Sequence, residues 1–90
     1  NAMYMSLVSE NLIPGNHGKV FETNAKEPAE LDRIKKTILN ISGIESVHIN
    51  SATFPIEVTI HTSKLIAIKT VEAAVNKTGL HIVEKSTFPL

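Results

Sequence analysis

The sequence predicts an α+β fold, a four-stranded antiparallel sheet with two helices on one face. Three observations carry this expectation. Leu31, Ile34, Ile38 and Ile41 recur at helical spacing, and so do Ile68, Val71, Val75 and Thr78. Ile56, Val58 and Ile60 alternate with Glu57, Thr59 and His61, the period of a half-buried strand. The order strand-helix-strand-strand-helix-strand is also a weak repeat: Ile34 and Ile38 lead to Gly43-Ile44 as Val71 and Val75 lead to Gly79-Leu80. Two β-α-β units joined by a hairpin make a ferredoxin-like sandwich.

Each element has its own signal. Lys19–Thr23 reads as a short strand, and Pro28 sits where a first helical turn accepts proline. Asp32, Arg33, Lys35 and Lys36 fall off the apolar stripe and face water, and Gly43 is expected to cap the helix C-terminus. Ile44, Val47 and Ile49 carry the apolar side of the second strand, with His48 and Asn50 on the other side. Ser51 to Pro55 turns the chain into the alternating third strand. Thr62 or Ser63 is expected to cap the second helix, Gly79 to end it, and Leu80–Val83 to form the last strand. The open sheet face should then carry Val20, His48, Glu57, Thr59, His61, His81 and Val83.

Composition narrows the class. Ninety residues make one domain, and 42% hydrophobic residues suffice for a core. Nine basic against nine acidic residues argue against a nucleic-acid or membrane-surface partner, which calls for basic excess. The absence of cysteine removes disulfides, thiolate metal sites and cysteine nucleophiles together. Asn1-Ala2 before Met3 reads as a vector scar, and residues 3–18 as a loosely attached arm broken at Pro14–Gly18. Met5, Val8 and Leu12 could form a short amphipathic turn in that arm. The domain proper is expected over 19–86, with 87–90 as a tail. No signal peptide or membrane span is evident, which makes the cytoplasm the default location.

From Phe21 to Val83 the chain resembles a heavy-metal-associated domain, the fold of small copper chaperones. The likeness rests on Ile34, Ile38, Ile41, Ser42-Gly43-Ile44, Val47, Ile49-Asn50, Ala52-Thr53, Val58, Val71, Ala74-Val75 and Gly79-Leu80. It implies the ferredoxin-like architecture and a metal loop of pattern M-x-C-x-x-C before the first helix. Counting back from Gly43 puts the two thiolate positions at Glu27 and Glu30, and the methionine near Ala25. None of those ligands is carried over. Cu(I) requires soft sulfur donors, and the only sulfurs are Met3 and Met5, both in the arm.

The remaining candidates are weighed by geometry. Glu27 and Glu30 stand three apart, and acids in a first helical turn cap free N–H groups. With the hairpin centred near Ala52-Thr53, His48 falls opposite Glu57, a weak surface metal pair at most. His61 then lies roughly 13 Å further along its strand, and His81 on the opposite edge. A zinc site needs three or four converging ligands. No nucleophile elbow, metallohydrolase helix or phosphate loop is present, and Arg33 is the only arginine. The expectation is therefore a non-catalytic domain without a cofactor that acts through contact with another protein or with itself. A metal-binding role through His and Glu ligands, or a small-ligand regulatory module, are the alternatives.

Overall fold

The computed structural model describes residues 11–15 and 18–85. Met3, Met5, Val8, His17 and the tail 87–90 lie outside the described residues, and so does most of the expected arm. The elements are β1 (Asn11–Leu12), β2 (Lys19–Thr23), α1 (Pro28–Leu39), β3 (Ile44–Asn50), β4 (Ile56–Thr62), β5 (Ile66–Ala67), α2 (Ile68–Asn76) and β6 (Ile82–Glu84). The fold is α+β, with two helices and two antiparallel sheets among the described residues. A four-stranded sheet runs in the order β3-β4-β2-β6, and β1 pairs with β5 in a two-stranded one. Among the described residues no helix is long and apolar enough to cross a membrane.

β4 shows why the sheet has two unlike faces. Ile56, Val58, Ile60 and Thr62 are buried, and Glu57, Thr59 and His61 between them are only half-buried. Pairing copies this alternation to the neighbours: Val58 lies opposite Phe21 on one side and Ile49 on the other. Phe21, Val58, Ile34, Ile38, Val71 and Val75 are fully buried in one cluster. Leu31 on α1 and Ile41, just beyond its end, are half-buried and pack against it.

β3 solves a problem of parity. Ile44 and Val47 are three apart, so a regular strand would point them to opposite faces. Between Ile44–Thr62 and Ser46–His61 the pairing advances two residues on β3 and one on β4. That bulge at Glu45 restores Ile44 to the core side, where it packs against the cluster.

Four expectations are corrected. The arm is not loose at Asn11–Leu12: Leu12 is 1% exposed, and both residues pair with Ile66–Ala67. The core therefore begins before residue 19. Neither Thr62 nor Ser63 caps the second helix. Thr62 closes β4, Ser63 N–H donates to Gly43 C=O at 2.8 Å, and the chain runs extended through β5. The helix starts at Ile68, with Ala67 at its N-cap and no side-chain cap, because pairing with β1 holds Ile66 and Ala67 extended. α1 ends at Leu39 rather than running to Gly43, which instead takes φ +96° in the turn into β3. A Cβ there would also lie 2.6 Å from Lys64 Cε. The last strand covers Ile82–Glu84 rather than Leu80–Val83, and its alternation still buries Leu80 and Ile82 and exposes His81 and Val83.

Two stability measurements follow from this packing. Leu12→Ala and Ile38→Ala should each cost about 2–4 kcal/mol in urea unfolding, since both side chains are buried. An effect at Leu12 of less than about 0.5 kcal/mol would restore the loose-arm reading. Thr62 is 4% exposed and its hydroxyl has no hydrogen-bond partner. Thr62→Val should therefore leave stability unchanged or raise it by about 1 kcal/mol, because the orphaned hydroxyl no longer has to be desolvated. A loss of that size would mean that the hydroxyl is partnered.

Candidate functional site

The loop from β2 to α1 occupies the place where the resemblance locates its metal ligands. The N–H groups of Ala25, Lys26 and Glu27 in it are taken up by side chains of Thr23 and Glu30. Thr23 Oγ1 donates to His81 C=O at 2.8 Å and accepts the Ala25 N–H at 3.1 Å. Asn24 Oδ1 accepts the His81 N–H at 2.9 Å. The His81 ring in turn shares a 2.9 Å hydrogen bond with Asn76 Oδ1. These links tie the end of β2 to the residue before β6, and Ala25 beside them is buried.

Glu27 and Glu30 do meet at the helix start. Glu27 is the N-cap residue and Pro28 begins α1. The Glu30 carboxylate turns back to accept the N–H groups of Lys26 at 3.1 Å and Glu27 at 3.2 Å. Both bonds favour the charged form, with Arg33 adding a smaller effect, so Glu30 is held below its ordinary value of 4.5. The acids serve the helix, as expected of a first turn.

The open face departs from the expected pairing. Asn50 lies opposite Glu57, and His48 opposite Thr59. The hairpin is thus two residues out of the expected register. Its connection is closed by Asn50 Oδ1 accepting the Ala52 N–H, and by the Thr53 hydroxyl within 3.1 and 2.9 Å of the Asn50 and Pro55 carbonyls. A shift of two keeps every residue on its face but changes its partner. His48 and Glu57 therefore do not pair. Glu57 lies directly opposite Glu22 on β2, and Lys85 relieves the two like charges by binding Glu57 Oε2. That bond and the Glu57 charge, with a lesser part from Glu22, raise the Lys85 pKa. His61 falls two residues beyond Thr59, beside His48 rather than far from it. Among the described residues no three His, Asp or Glu side chains converge to hold a metal.

Inspection of the residues alone missed an apolar groove beside Phe54. A groove of about 490 Å³ opens at the loop end of the sheet, lined by Thr23, Ala25, Phe54, Ile56, His81 and Val83 among others. Phe54 is 86% exposed and Val83 57%. Lys26 Nζ sits 5.9 Å from the Phe54 ring centroid, a cation–π contact across the groove mouth. The available signal was an aromatic residue in a turn, Phe54-Pro55, with no strand to bury it. Compared with known proteins, the chain matches no family model and no curated sequence.

The capping geometry sets a pH dependence. A lowered folded-state pKa means that the carboxylate stabilises the protein above the ordinary Glu range and stops doing so as pH falls through the lowered value. Glu30→Gln should therefore unfold at lower urea than the parent near about pH 7, with the difference closing by about pH 2. A gap that stays constant across that range would show that the charge plays no part in the cap.

Proposed function

We propose that this chain is a ferredoxin-like domain of heavy-metal-associated type that has no catalytic role and works through contact with another protein surface, a second copy of itself first. The strand order supports the architecture: β2 and β4 lie at the centre, with β3 and β6 as edges. So does the joining of the two helical stripes and the inward sheet residues in one cluster. The hydrogen bonding of the loop supports a non-metal role at the family's site, since Thr23 and Glu30 already take up the N–H groups of Ala25, Lys26 and Glu27.

The observation that carries the contact reading is the pairing of an exposed knob, Phe54, with an apolar groove on the same patch. A knob beside its own groove is self-complementary about a two-fold axis. Glu22 and Lys26 both line that groove, so two copies can match opposite charges across it. An aromatic anchor entering a pocket is the usual centre of such an interface.

Light scattering across a concentration series tests this. The mass should rise from 9.8 kDa toward twice that value, and Phe54→Asp should hold it at one chain while the circular dichroism spectrum is unchanged. A mass of one chain at every concentration, in parent and variant alike, would overturn the self-association reading.

A further inference from the structure

We propose that His48 and His61 form a two-imidazole site on the open sheet face for a borderline divalent ion of the zinc, nickel and copper(II) class. This is independent of the groove and of the family's loop. The register carries it. His48 lies opposite Thr59, so His61 is its diagonal neighbour on the same face. Diagonal cross-strand neighbours stand about 7–8 Å apart or somewhat less. Two imidazoles can close that gap on one ion through nitrogen–metal bonds of about 2.0–2.1 Å.

The surroundings suit the role. His61 is half-buried, and its Nδ1 shares a 3.3 Å hydrogen bond with Ser46 Oγ. That bond orients the ring and leaves Nε2 as the nitrogen free to ligate, as a supporting partner does in metal sites. The ring also packs close to Gly18, where a Cβ would lie 2.7 Å from His61 Cε1. His48 is exposed and has no hydrogen-bond partner among the described residues. Imidazole nitrogen suits Zn²⁺, Ni²⁺ and Cu²⁺ and not Mg²⁺ or Ca²⁺, which take oxygen. With no third His, Asp or Glu among the described residues, the pair supplies fewer ligands than a closed zinc site takes, so the proposed site is an open surface one in which water fills the remaining positions.

Zn²⁺ is the probe, titrated into the untagged chain by calorimetry and followed by NMR of the imidazole rings. One ion per chain is expected, with the rings of His48 and His61 shifting together. His48→Ala and His61→Gln should each weaken binding by about tenfold or more, because each removes the second arm of a chelate. His81→Ala should leave it unchanged, since that ring is bound to Asn76 next to the other edge of the sheet. Unchanged circular dichroism shows that each variant is folded. Unaltered affinity in either His48→Ala or His61→Gln, two independent ions per chain, or no heat and no ring shifts would each overturn the proposal.

Discussion

β4 lies between β3 and β2, and its alternation determines what each neighbour presents to the core and to solvent. With Ile56, Val58 and Ile60 inward, a slip of one residue in either pairing would bury Glu57 or His61 and expose the centre of the core. That cost is large enough to fix which face each residue occupies. A slip of two residues costs no burial, so hydrophobic patterning does not select against it. The choice falls to the connection between β3 and β4, where Asn50 and Thr53 close the turn with their own side chains. The whole arrangement of polar groups on the open face follows from that local decision.

The same logic explains the uses of the acids and histidines. Glu30 caps a helix, Glu57 is neutralised by Lys85 across the sheet, and His81 is tied to Asn76. Glu30 and His81 are satisfied by neighbours three to five residues away and Glu57 by a lysine 28 residues on, whereas at Phe54 and Val83 apolar surface stays in water. Large exposed apolar groups beside a groove are the feature that most sets this end of the molecule apart. His48 and His61 differ from His81 in that the sheet brings them together without occupying both of them.

The parts legible in the residues are those with local causes. The stripes of α1 and α2, the alternation of β4 and the acidic first turn of α1 depend on spacing within a few residues, and each lies where its period places it, except that Ile41 and Thr78 fall just past the helix ends. The errors arose where long-range pairing overrode a local preference. Ser63 has the chemistry of a helix cap, yet β1 holds the following residues extended and delays the helix to Ile68. Leu12 stands in a polar, turn-rich segment, and only contact with the distant Ile66 reveals that it belongs to the core. Phe54 drew no notice because exposure is a property of the assembled surface.

By itself, then, the sequence determined the number and kind of the main elements, which residues of each face the core, and the absence of thiolate chemistry from the β2–α1 loop. These follow from periodicity and from side-chain chemistry, both of which act over short stretches of chain. Tertiary structure decided the hairpin register, the bulge at Glu45, the docking of Leu12 and the groove around Phe54. These depend on which distant backbones meet, and a period of two or of 3.6 residues carries no information about partners.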